Sequence, residues 1–190
     1  PGVDMHIVKI FNDNGQWTYA SDLIDAITQC QDAGSNVVNM SLGGGSSSTT
    51  ERNAMQSFTD AGMLLVAAAG NDGNSAKSYP ASYDAVMSVA AVDSNENRAS
   101  YSQYNDQVEI AAPGSAVQST YPTNTYASLS GTSMATPHVA GGAALVWSYF
   151  PQCSNNQIRS ALNATAEDKC SPGRDNFYGY GLMQLADASN

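Results

Sequence analysis

Long hydrophobic runs are missing from this 190-residue chain. The longest, MLLVAAA at 63–69, is far short of the roughly 20 residues that cross a bilayer, so no membrane-spanning helix is expected. Basic residues are also scarce. Seven Lys and Arg face seventeen Asp and Glu, a formal net charge of −10, which disfavours nucleic acid and anionic membranes as partners. The chain opens on Pro1 with neither a basic n-region nor an apolar h-region, so no signal peptide is expected within it. Few cations and many Ser, Asn and Gly suit a secreted, extracellular protein.

Cysteine is sparse and odd in number. Cys153 and Cys170 flank a Ser/Asn-rich start and a Ser-Pro-Gly turn, and a disulfide is expected between them. Closing that loop of about 17 residues would stabilise by roughly 3 kcal/mol in the chain-entropy description. Cys30 is left over, either as a buried thiol or as partner to a cysteine outside this chain. What is abundant is ordinary globular material. Hydrophobic residues make up 42%, so a packed core is expected rather than disorder, and the length allows one domain.

The patterning alternates between strands and helices. MHIVKIF at 5–11 reads as a strand. Between Ser21 and Ala33, Leu23, Ile24, Ile27 and Cys30 recur at helical spacing before Gly34. NVVNMSL at 36–42 reads as a second strand, followed by the GGGSSS loop. Thr50 is the expected cap of a helix with Ala54, Met55, Phe58 and Ala61 on one face, ending at Gly62. MLLVAAA and AVMSVAAV at 85–92 follow as strands, then VEIAAPG at 108–114 and YASLS at 126–130. A long helix is expected over 132–149 and a last one from a Ser154 cap to about Ala164. Continuous apolar strands in β-α-β order predict an α/β fold, a parallel sheet flanked by helices on both faces. The first strand is apolar like an interior one, so the sheet is expected to be incomplete at its N-terminus.

Three segments carry chemistry. SLGGG at 41–45 runs a strand into glycines, where backbone can approach a ligand closely; no Lys-Ser/Thr follows, so it is not a P-loop. AAAGNDG at 67–73 presents Asn71 at the C-terminal edge of a strand, where open parallel sheets bind ligands; a plain Asn-Asp-Gly turn is the alternative. GTSMATPHVAGGAALV at 131–146 places hydroxyls at the start of a helix so rich in small residues that it is expected to be buried all round. A simple Ser or Thr cap is the alternative, but a serine at a buried positive helix end suits the stabilisation of developing negative charge.

GTSMATPHVAG, AAAGNDG and VNMSLGG, in this register, resemble the signature blocks of the subtilisin-like serine peptidases. The similarity extends through YPASYDAVMSVAAVD, RASYSQYNDQVEIAAPG and YGYGLM. The resemblance implies a subtilisin-like fold and an endopeptidase acting on polypeptide substrates, with Ser133 as nucleophile forming an acyl-enzyme. Asn71 and the Ser133 N–H would donate to the oxyanion; losing one such donor in a subtilisin lowers turnover by about 10²–10³. Thr132 and Met134 would set the turn around the nucleophile. Ser41, Leu42 and Gly43 would pair with substrate backbone, and Ala68, Ala69 and Gly70 would form the other pocket wall, with Ser78 near its base. Small walls imply a roomy pocket favouring large apolar side chains. No acidic residue is evident at its base, which argues against a preference for Arg or Lys.

The family order is Asp, His, Ser, and the first two blocks are expected upstream of Pro1. His6 lies in the wrong place to be the base, and His138 is expected to be a hydrogen-bonded structural histidine. The chain is therefore expected to be nearly inactive alone, and to need an N-terminal fragment of the same protease that carries Asp and His. A non-catalytic peptide-binding relative is the alternative. The resemblance also implies structural calcium on backbone carbonyls around Ala81, Tyr83 and Val86, and no cofactor for catalysis. The sequons at Asn39 and Asn163 are read as coincidental.

Overall fold

The computed structural model describes residues 2–13 and 20–188. Helix α1 (Ala20–Asp32) leads into β1 (Val37–Met40), and α2 (Thr49–Asp60) into β2 (Leu64–Ala68). Strands β3 (Val86–Val92) and β4 (Val108–Pro113) follow, and the four lie in the order β1-β2-β3-β4, all parallel. A separate antiparallel hairpin is formed by β5 (Val117–Tyr121) and β6 (Thr125–Leu129). Helices α3 (Thr132–Tyr149), α4 (Asn155–Ala164) and the short α5 (Leu185–Ala188) complete the described chain.

Alternation within the apolar strands explains the two-faced core. Leu64 and Val66 of β2 point to one side, where they join Met87, Val89, Ile110 and residues of α3 and α4 such as Val139, Val146, Ile158 and Leu162. Leu65 and Ala67 point to the other, against Leu23 and Ile27 of α1 and Met55 and Phe58 of α2. Both faces are thus covered by helices, as the continuous apolar strands require. Among the described residues no helix is long and apolar enough to cross a membrane.

Four expectations are corrected. Residues 5–11 form no strand: Met5 and Ile7 are each 79% exposed, because no neighbouring strand is present on either side of the segment. The cap of α2 is Ser48, whose side chain accepts the Glu51 N–H, rather than Thr50, which already lies inside the helix. Helix α3 is not buried all round. Pro137, His138, Gly141, Leu145 and Tyr149 make one exposed stripe, since only the opposite face meets the sheet. Finally, Cys153 and Cys170 are not bonded. All three cysteines are free thiols; Cys153 packs against the core while Cys170 sits in an exposed loop. Cys30 is half-buried against the α1–α2 side of the core, and burial raises its thiol pKa. The helix after Ser154 forms as expected, with a complete Ser154–Gln157 capping box.

Candidate active site

Ser133 occupies the first turn of α3, where N–H groups have no carbonyl one turn behind them. Gly131 is the cap residue and supplies no side-chain cap. Pro137 lacks the N–H that would bond to the Ser133 carbonyl. That carbonyl instead accepts the Ser41 hydroxyl at 2.8 Å, and the Ser133 hydroxyl faces the Ser41 carbonyl at 3.4 Å. The end of β1 and the start of α3 are tied together through these two serines.

Asn71 is held from the other side. Its Oδ1 accepts both the Thr132 N–H (2.8 Å) and the Thr132 hydroxyl (2.9 Å), which in turn accepts the Gly70 N–H at 3.2 Å. With Oδ1 engaged twice by donors, the amide orientation is determined, and Nδ2 is the group left to donate. The Asn71 amide, the positive end of α3 and the Ser133 hydroxyl therefore share one place, an arrangement suited to a tetrahedral oxyanion.

These residues open on a cleft of about 310 Å³. Leu42, Gly43, Ala68, Gly70 and buried Ser78 all line it. A side chain at Gly43 would meet the Ser78 hydroxyl at 2.5 Å, so the close approach of 43 to Ser78 depends on glycine. Gly44 bridges to Tyr79 in antiparallel fashion, while 41–43 belong to no described ladder. Ser41 reaches Ser133 instead, and Ala69 is buried behind the wall. Of the residues singled out from sequence, Ala81, Tyr83 and Val86 do not line the cleft: the first two lie in the turn entering β3 and Val86 begins that strand. Met134 is half-buried in the first turn of α3, its Sδ 3.6 Å from where a Gly131 side chain would begin.

The cleft also contains residues that sequence reasoning missed. Asp72, Lys77 and Gln103 line it. Asp72, directly after Asn71, is exposed. Lys77 pairs with Asp106 at 3.0 Å. His138 does not bear on the site: it is exposed, and its Nδ1 meets the Met134 carbonyl at 2.8 Å. His6 is exposed in the unpaired segment. Among the described residues, no carboxylate or imidazole bonds to the Ser133 hydroxyl. Asn163 Nδ2 donates to the carboxylate of buried Glu109 at 2.7 Å.

A profile described as the Subtilase family matches residues 1–181. Subtilisin DY of Bacillus licheniformis is 45% identical across the whole chain, which spans 69% of that protein. A thermostable alkaline protease of Halalkalibacterium halodurans is 48% identical, with the chain covering 51% of its length. The crystal structure of a psychrophilic subtilisin-like protease from an Antarctic Pseudoalteromonas superposes with a TM-score of 0.89 at 33% identity, over 97% of this chain and 76% of that one. The chain belongs to the subtilase family of serine peptidases.

Proposed function

We propose that this chain carries the nucleophile and oxyanion half of a secreted serine endopeptidase, with Ser133 as the attacking group and Asn71 and the Ser133 N–H as oxyanion donors. The observation that carries the reading is the double lock on Asn71 Oδ1, which leaves its amide N–H₂ free beside the serine. A hydroxyl without a base is a poor nucleophile near neutral pH, so the chain by itself is nearly inactive. The acid and base come from an N-terminal portion of the same protease. Two exposed surfaces support that partner: the stripe along α3, with Tyr149 at 66% exposure, and the apolar residues of 2–13.

The polypeptide substrate pairs along 41–43 and places a large apolar side chain between Leu42–Gly43 and Ala68–Gly70, over Ser78. Fluorophosphonate labelling of the full-length protein tests the nucleophile. Labelling that disappears in Ser133→Ala is the expected result, and labelling that survives it sinks the assignment. The open Ser133 hydroxyl also fits a peptide-binding relative without turnover. That reading wins if the full-length protein binds peptides through 41–43 yet neither labels nor cleaves.

Calcium belongs to the same proposal, held by oxygen ligands in the turn of Ala81, Tyr83 and Val86. The Tyr83 carbonyl already accepts the Val86 N–H (2.9 Å) and keeps a second lone pair. An all-carbonyl donor set suits a hard cation, and no cluster of three or more acidic, His or Cys side chains competes for one among the described residues. A melting temperature indifferent to both calcium and chelator removes this part.

A further inference from the structure

The oxyanion donor Asn71 is exposed, and its backbone belongs to no strand or helix. Its side chain is oriented by Thr132, but the peptide carrying it needs support from elsewhere. The loop on which it stands, residues 70–76, is gripped at three points by one buried residue, Gln103, which is only 3% exposed. The Gln103 main-chain N–H donates to the Gly70 carbonyl at 3.0 Å. Its Nε2 donates to the Ala76 carbonyl at 2.6 Å, and its Oε1 receives the Asp72 N–H at 3.5 Å. These contacts fall on both neighbours of Asn71 and on the far end of the loop.

Gly70 adds to the fit. It has φ +113°, and a side chain there would begin 1.7 Å from Gln103 Oε1, so the loop backbone lies directly against the amide. Asn105 gives the Ala76 carbonyl a second donor at 3.0 Å, and the Tyr104 N–H reaches the Asn74 carbonyl at 3.0 Å. The 103–105 segment is thus a rail against which the Asn71 loop is set.

The geometry points to Gln103 as a positioning residue for the oxyanion hole: it acts through Asn71, by fixing the peptide units on either side of it. The inference rests on the peptidase reading of the site. A buried amide that merely fills space would affect stability; one that aims Asn71 affects turnover, because a donor displaced by about 1 Å loses more stabilisation of the transition state than of the ground state.

The test uses the full-length protein with two variants, Gln103→Ala and the similarly sized but non-hydrogen-bonding Gln103→Met, each also combined with Asn71→Ala. Both single variants are expected to lower kcat on a peptide anilide by about 10–100-fold, with KM changed less than about threefold. In the Asn71→Ala background the same substitutions should lower kcat less than about threefold, since the group they aim is gone. Unchanged kcat in the single variants overturns the inference. So does an equal fall in both backgrounds. Should Gln103→Ala not fold, Gln103→Met alone decides. A wild-type protein that cleaves no peptide sinks the peptidase reading itself, whereas cleavage that is indifferent to Gln103 sinks only its positioning role.

Discussion

Residues 63–69 and residues 5–11 are both predominantly apolar segments of seven residues, yet one forms the centre of the sheet and the other lies outside it, with Met5 and Ile7 exposed. Strand β2 has β1 on one edge, β3 on the other and helices over both faces. Segment 5–11 pairs with no strand among the described residues; Ile10 packs partly against the α1–α2 side of the core, but Met5 and Ile7 stay exposed. The same contrast holds for charge. Arg159 and Glu109 form a largely buried pair between α4 and β4, while Lys9 and Asp13 pair with side chains 71% and 93% exposed. An apolar run, or an opposite pair of charges, has a structural effect only where neighbours remove water from it.

The largest expected effect lies in the covered region. Arg159→Met leaves the Glu109 carboxylate buried and unpaired, and should cost roughly 3–5 kcal/mol in urea unfolding. Lys9→Ala should leave the same curve unmoved. If both behave alike, the proposed contrast in burial is wrong. Leu65→Ala, at the buried centre of β2, should cost about 2–5 kcal/mol. Ile7→Ala should change the stability of this chain by less than about 0.5 kcal/mol. In the full-length protein, an Ile7→Ala cost that rises into the Leu65 range sharpens the comparison by showing that a partner covers the segment.

A smaller effect is read by pH. Burial, aided by the Glu51 carboxylate and opposed by a contact with the Ser48 backbone, pushes Tyr83 up to about 12 from its ordinary 10. The unfolded chain loses that proton first, so the folded state binds more protons and weakens as pH rises from about 10 through about 12. Tyr83→Phe removes this dependence and should flatten the decline of melting temperature in that window. An unchanged slope assigns the alkaline weakening to other groups. Smallest of all, Ser48→Ala should cost about 1 kcal/mol as a lost cap, while Thr50→Ala stays within about 0.5 kcal/mol.

Much of the covered region was legible from residue pattern. The strands 63–69, 85–92 and 108–114, the Ser154 cap and both faces of helices follow from local periodicity and turn chemistry. The site was legible for a different reason. Ser133 and Asn71 stand in short segments whose glycines and small residues restrict the backbone, and both line one cleft. Gln103 was not legible, since a glutamine carries no mark of burial and its three contacts lie about 30 residues away in sequence. The Cys153–Cys170 bond was inferred from spacing, but spacing does not bring two sulfurs together. The exposed stripe on α3 escaped because small residues indicate close packing without showing on which side.

By itself the sequence determined most of the element order (not 5–11 or the β5–β6 hairpin), the parallel α/β class and the family, because each depends on neighbours a few positions apart or on whole segments in register. Tertiary structure alone decided which apolar segments are buried, which thiols stay free, and how Thr132 and Gln103 hold Asn71 beside Ser133. Those outcomes depend on contacts between distant parts of the chain, and hydrogen bonds and burial act across space whatever the separation along it.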